Sequence, residues 1–388
     1  MIKLASRMAR LGTETAFEVL AKAKALEAQG RHMVHLEIGE PDFDTPKNIC
    51  FAAIKALTNG ETHYNPSPGI PPLREAIAAD ISKRRGIDVK MNEVVVTPGA
   101  KPIMFFVILA LAEEGDEVIY PNPGFPIYES VINWVGAKAV PIPLKEEIEF
   151  RFDIEDMKKL VNDKTKLIII NSPQNPTGGV LTKSDLEIIA ELAIKHDCYV
   201  LSDEVYCNII YEGEHHSIAS LPGMKERTIL LDGFSKTYAM TGWRAGYGVM
   251  PVQLADQVSR LQTNSNSCVN TFVQYGCIEA IQGPQDDVLK MVAEFKRRRD
   301  VIVDGLNAIP GFKCLRPHGA FYVFPNIQDL PIGSRELEQY LLEEAGVAAL
   351  SGTSFGEYGN GYVRFSYANS VKNIQLALDR VKEAVAKL

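Results

Sequence analysis

Gly233-Phe-Ser-Lys-Thr-Tyr-Ala-Met-Thr-Gly-Trp-Arg-Ala-Gly-Tyr247 is the stretch from which the rest of the chain can be ordered. It follows Thr228-Ile-Leu-Leu-Asp232, a short apolar run of the kind that forms a buried strand. Ser235, Lys236 and Arg244 therefore emerge together at a strand's carboxyl end, which is where open α/β sheets place ligands. Lys236 stands among small and aromatic residues with no acidic neighbour close in sequence. Such a setting desolvates an amine and lowers its pKa from about 10.4 toward a nucleophilic state. Ser235 adds a hydroxyl and Arg244 a fork of donors, a pair suited to a phosphate. Taken singly, Lys236 reads as a solvated lysine and Arg244 as a surface ion-pair partner.

Upstream, strand-like runs recur, each ending in a polar turn. Val94-Val-Val-Thr-Pro-Gly-Ala-Lys101 is a strand, a tight turn and the start of an apolar helix from Pro102 to Leu111. Amides at such a helix start favour an anion, with the helix dipole behind them. Asp116 to Phe125 is the next strand and turn. Lys166-Leu-Ile-Ile-Ile170 is a β-branched run typical of a strand covered on both faces, and it leads into Asn171-Ser-Pro-Gln-Asn175-Pro-Thr-Gly-Gly179. Cys198-Tyr-Val-Leu-Ser-Asp203-Glu-Val-Tyr206 is a strand carrying an acid at its end. Strand-helix alternation from about 47 to 262 implies a largely parallel sheet between helices.

The flanks read differently. Residues 13 to 29 read as a helix, with Thr13 or Thr15 to cap it and Gly30 to stop it. His32 to Ile38 reads as a strand entering the irregular Gly39-Glu-Pro-Asp-Phe-Asp-Thr-Pro46. From about 285 come a long charged helix to Asn307, the run Gly319 to Phe324, a helix near 334–345, the strand Gly361-Tyr-Val-Arg364-Phe-Ser-Tyr-Ala and a final helix from Val371. These features divide the chain into a large α/β domain, 47–285, and a smaller α+β domain built from 1–46 and 286–388.

With 388 residues and a formal charge of −8, the composition argues against a nucleic-acid or anionic-membrane partner, since both want a basic face. Neither a signal-peptide core nor a membrane-length apolar run is visible, which predicts a cytoplasmic protein. The six cysteines form no CxxC pair, so neither a zinc knuckle nor a redox dithiol is expected.

As a set, the motifs resemble those of the class I/II aminotransferases, pyridoxal-phosphate (PLP) enzymes of fold type I, and the resemblance spans nearly the whole chain. Within it, Lys236 matches the Schiff-base lysine, and Ser235 and Arg244 match phosphate ligands. Gly99 and Ala100 match backbone contacts to the same phosphate, and Lys101 follows them. Phe125 matches the aromatic residue over the cofactor ring, Asn175 and Tyr206 the partners of its phenolic oxygen, and Asp203 the carboxylate beneath its pyridine nitrogen. Gly39 matches the turn whose backbone lies beside the substrate, and Arg364 the arginine that grips the substrate α-carboxylate. Tyr64, in the turn-rich segment after Gly60, matches the tyrosine that reaches the partner subunit's cofactor phosphate, which implies a homodimer with shared sites.

The pattern looks most similar to the aspartate aminotransferases, and Lys101 falls where lysine meets the distal carboxylate of the substrate. Ala16 and Phe17 are more apolar than the hydroxyl-bearing residues some aspartate enzymes place nearby, and aromatic, alanine and broad-specificity relatives share the same motifs. A C–S β-lyase on this scaffold is a second enzymatic reading, and a PLP-fold sensor is the non-enzymatic one. No resemblance to a DNA-binding domain accompanies the latter.

Overall fold

The computed structural model describes residues 2–388 and is organised by one sheet of eight strands. Their spatial order is Val94–Thr97, Gly246–Val249, Thr228–Gly233, Tyr199–Asp203, Thr165–Asn171, Glu117–Asn122, Lys138–Lys145 and Arg151–Phe152. Gly246–Val249 runs antiparallel to both neighbours, and Arg151–Phe152 is antiparallel at the far edge. The remaining strands share one direction.

Successive residues of the central strands point to opposite faces, and both faces are dry. Leu167 and Ile169 pack with Val118, Leu201 and Val258 on one side. Ile168 and Ile170 pack with Ile119, Val200 and Ile189 on the other. A fully buried side chain of this size contributes about 1.5–3 kcal/mol. An unbroken apolar run is therefore the sequence this position requires. The covering helices begin and end on local signals. Thr182 caps Lys183–Lys195 in a reciprocal box with Asp185, and Gly86 closes Pro71–Arg85 in the left-handed conformation.

The strand register brings the polar strand ends into one row. Asn171 lies opposite Asp203, Asp203 opposite Leu231, Gly233 opposite Gly246, and Gly246 opposite Thr97. Every motif singled out between residues 94 and 247 thus opens on the same edge.

Beside this sheet, Val34–His35 pairs in parallel with Val347–Ala348. Tyr322–Val323 and Leu350–Ser351 flank Val363–Ser366 antiparallel. The long helix Asp286–Asn307 and the final helix Val371–Val385 pack on these strands around Phe295, Ile302, Phe321, Val363 and Ile374. Tyr206, Ile209 and Tyr211 join this second core. The N-terminal segment also touches the large sheet's side, since the Gly12 amide donates to Ser130 Oγ and Arg10 donates to the Trp134 carbonyl.

Two local expectations need correction. The first helix spans Ala16–Ala28, and Thr15 at its start makes no side-chain cap because its own backbone is already helical. The run from His32 to Ile38 contributes only Val34–His35 as strand, because only those two residues find a ladder partner. Among the described residues no helix is long and apolar enough to cross a membrane.

Candidate active site

A cavity of about 600 Å³ opens at the row of strand ends. Its lining includes Gly39, Ala100, Lys101, Phe125, Asn175, Asp203, Tyr206, Ser235, Lys236, Arg244 and Arg364. Gly99 stands immediately behind: its φ is +90°, and a Cβ there would lie 2.4 Å from Arg244 Nη2. Of the residues singled out from sequence, Tyr64 alone stands away, 92% exposed and outside the cavity of its own chain.

At one end of the cavity several hydrogen-bond donors converge. The helix Lys101–Leu111 starts with no side chain capping it, its N-cap being Ala100. Arg244 is held in the left-handed region at φ 53° and aimed by hydrogen bonds from Nη1 to the Thr241 carbonyl (2.9 Å) and Nη2 to the Pro98 carbonyl (3.5 Å). Orphan amides at a helix start, the Ser235 hydroxyl and a guanidinium are donors of the kind a phosphate needs.

Lys236 Nζ donates to the Gly39 carbonyl and lies 5.8 Å from the Phe321 ring centroid. Burial is the main reason its pKa falls to about 8; Glu40 opposes the fall, and Arg364 and Arg244 add to it. A free amine is thus available near neutrality. Gly39 could be nothing larger, because a Cβ there would lie 2.1 Å from Tyr322 Oη.

Asp203 is buried and bonded on both sides. Tyr128 Oη donates to its Oδ2 (2.6 Å), and the Val205 amide donates to Oδ1 (3.3 Å). Burial pushes the carboxyl up to about 6, against the pull of the Tyr128 hydrogen bond. A buried carboxylate in this state favours a cationic partner. Behind it, Glu204 is clamped by Arg85 (2.6 Å) and His215 (3.0 Å), which ties the helix Pro71–Arg85 to the strand end bearing Asp203.

Arg364 is 4% exposed and lies over two rings, Tyr322 at 4.5 Å and Phe355 at 4.9 Å. Nη1 donates to Asn175 Oδ1 (3.0 Å), Nη2 donates to the Glu37 carbonyl, and Nε is buried without a partner. Since Asn175 Oδ1 is occupied, its amide nitrogen is the group left to donate into the cavity. Asn171 orients this corner by accepting from the Asn175 amide (2.9 Å) and donating to the Asp203 carbonyl (3.0 Å). Tyr206 Oη and Tyr322 Oη share a hydrogen bond of 2.7 Å.

Sequence reading missed Tyr128, Tyr322 and Glu14. Tyr128 stands three residues after Phe125, in the first turn of the helix Ile127–Val135 that Phe125 precedes, and the two rings meet edge to face at 5.7 Å. That spacing was the available signal. Tyr322 sits within a run recognised only for its apolar character. Glu14, which pairs with Lys101, carries no local signal at all.

The donor set fits PLP. Its phosphate would be held by Gly99, Ala100, Ser235 and Arg244, its ring nitrogen by Asp203 and its phenolic oxygen by Asn175 and Tyr206. The unpartnered Nε of Arg364 and the lowered pKa of Lys236 are the observations that fit a carboxylate substrate and a reactive amine beside it.

Comparison with known proteins gives the same direction. The family model for aminotransferase class I and II matches residues 31–381. An aspartate aminotransferase of Pyrococcus abyssi is 44% identical, covering 92% of each chain. An aromatic-amino-acid aminotransferase of Thermococcus litoralis is 42% identical over 92% of this chain and 93% of its own. The solved aspartate aminotransferase from Thermus thermophilus with maleate superposes with a TM-score of 0.95 at 37% identity, covering 99% of this chain and 100% of that one.

Proposed function

Because this chain belongs to the class I and II aminotransferases, we infer that its cavity moves an amino group from an L-amino acid to a 2-oxo acid with PLP as cofactor, aspartate being the favoured donor. The single observation that carries the reading is Lys236, a lysine of lowered pKa that faces one cavity with Asp203, Arg244 and Arg364.

Bound there, PLP supplies an aldehyde for the donor's amine and a ring that accepts the electron pair released at Cα. The chain's own residues do the rest. Arg364 takes the α-carboxylate and so fixes which bond at Cα is turned for cleavage. Lys236 Nζ would act as the general base and acid that takes and returns the Cα proton. Asp203 would hold a proton on the ring nitrogen, and Tyr128 holds that carboxylate in place. Asn175 and Tyr206 would bind and orient the cofactor, and Phe125 would pack against it.

For the donor's side chain the relevant group is Lys101, whose Nζ lies 5.3 Å from the Phe125 ring centroid. A compact ammonium serves a distal carboxylate yet admits an uncharged side chain. A panel of donors with 2-oxoglutarate, scored by glutamate formed, tests the assignment. Lys101→Ser is expected to lower kcat/KM for aspartate by about 1.5 kcal/mol, the lower end for a charged hydrogen bond because Lys101 already holds a partner. Phenylalanine and alanine should change little. Equal loss for all donors would give Lys101 to the phosphate, and a wild-type enzyme indifferent to aspartate would overturn the donor preference while leaving transamination intact.

The same reading makes the protein a cytoplasmic homodimer with shared sites, and divides it into domains 47–285 and 1–46 with 286–388. The exposed Tyr64 supports the dimer, as do Phe51, Ile54 and Leu57, which are 65%, 54% and 47% exposed on the helix Lys47–Thr58. The six unpaired cysteines agree with a reducing compartment. If Tyr64 completes the neighbouring site, mixing inactive Tyr64→Ala and Lys236→Ala chains restores part of the activity, because one site of each mixed dimer carries neither lesion. No recovery after verified subunit exchange, or a monomer in sedimentation, would refute the shared site.

A further inference from the structure

Lys101 does not stand free in the cavity. Its Nζ is paired with Glu14 Oε1, from the segment just ahead of the helix Ala16–Ala28. The two side chains are 45% and 19% exposed, and both line the cavity together with Phe17, itself 62% exposed. The other cavity carboxylates have partners elsewhere: Asp203 accepts from Tyr128, and Glu40 accepts from Thr241. Glu14 is therefore the acid that occupies the position at which a second substrate carboxylate would arrive.

We propose that Glu14 is a specificity-determining residue, an internal carboxylate that holds Lys101 when the donor's side chain is uncharged and releases it to the distal carboxylate of a dicarboxylic donor. The inference rests on the assignment of Lys101 to that carboxylate. Exchange of one carboxylate for another leaves the number of ion pairs on Lys101 constant, so a dicarboxylic donor gains only the difference between two similar contacts. An uncharged donor finds Lys101 already neutralised and meets no bare ammonium beside the Phe125 ring. One cavity thus accepts both classes of side chain with a small bias between them. A half-exposed site of this kind is screened by salt, so the bias shrinks as ionic strength rises.

Glu14→Gln keeps the size and hydrogen-bonding capacity of the side chain and removes its charge. Two ligands without an amine, maleate and 3-phenylpropanoate, report binding to the PLP-loaded enzyme by titration calorimetry without turnover. At low salt the ratio of the 3-phenylpropanoate Kd to the maleate Kd is expected to rise about threefold to fivefold in Glu14→Gln, the upper range for a solvent-accessible ion pair. In about 1 M salt the rise should collapse. A ratio unchanged within about twofold, or lowered, overturns the proposal, and so does a rise that survives high salt undiminished, since a charge effect on this scale is screened there. Repeating the substitution in a Lys101→Ser background should raise the ratio less than in the wild-type background, since only the direct repulsion between Glu14 and the bound carboxylate is then relieved, and an equal or larger rise there overturns the exchange between the two carboxylates. If Lys101→Ser alone fails to lower the ratio, the assignment of Lys101 fails and the proposal with it. If Lys101→Ser is selective and Glu14→Gln is not, only the role of Glu14 falls.

Discussion

Lys236→Ala is expected to bind PLP without a covalent bond to it and to lose transamination almost entirely. The other amine of the cavity, Lys101, is paired with Glu14. An arginine guanidinium does not serve as a nucleophilic amine, and the tyrosines of the site, Tyr128, Tyr206 and Tyr322, have their hydroxyl pKa values raised by burial. Removal of the side chain vacates the contact to the Gly39 carbonyl, which water can fill, so the fold should persist. Mass measurement after borohydride reduction checks the bond, with the cofactor's mass retained by the wild type alone. Turnover near wild type in the variant would sink the assignment of the site.

Asp203→Asn carries the second large effect. The amide oxygen of asparagine can still accept from the Val205 amide while its nitrogen donates to Tyr128 Oη, whose hydroxyl can turn to accept, so the variant should fold and retain cofactor. It lacks the charge that keeps a proton on the ring nitrogen. Losing one partner of a buried charge pair costs about 3–5 kcal/mol. At about 1.36 kcal/mol per decade of rate, that is a loss of roughly hundreds- to thousands-fold in kcat/KM. A fall of only about twofold or threefold, within the range of a neutral hydrogen bond, would mean that the carboxylate does something else.

Both predictions concern residues legible in the sequence because they follow apolar runs directly. Lys236, Asp203 and Asn175 each lie at or within a few residues of a strand's end, and the shared direction of these parallel strands brings them to the same end of the sheet. Gly99 was legible for a related reason, since a strand-to-helix turn that tight needs a positive φ. Arg364 was legible as part of a strand pattern, but the two rings beneath it and its unpartnered Nε were not.

By itself, then, the sequence determined the sheet's central strands, the polar edge on which they open and the residue types gathered there, because each depends on a few adjacent residues and on burial of both sheet faces. The tertiary structure alone decided which distant groups meet. Glu14 reaches Lys101 across 87 positions, Tyr128 reaches Asp203 across 75, and Tyr206 meets Tyr322 across 116. No local periodicity encodes such pairs. It likewise limited the strand expected over His32 to Ile38 to two residues, because a strand lasts only as far as a partner offers its backbone hydrogen bonds.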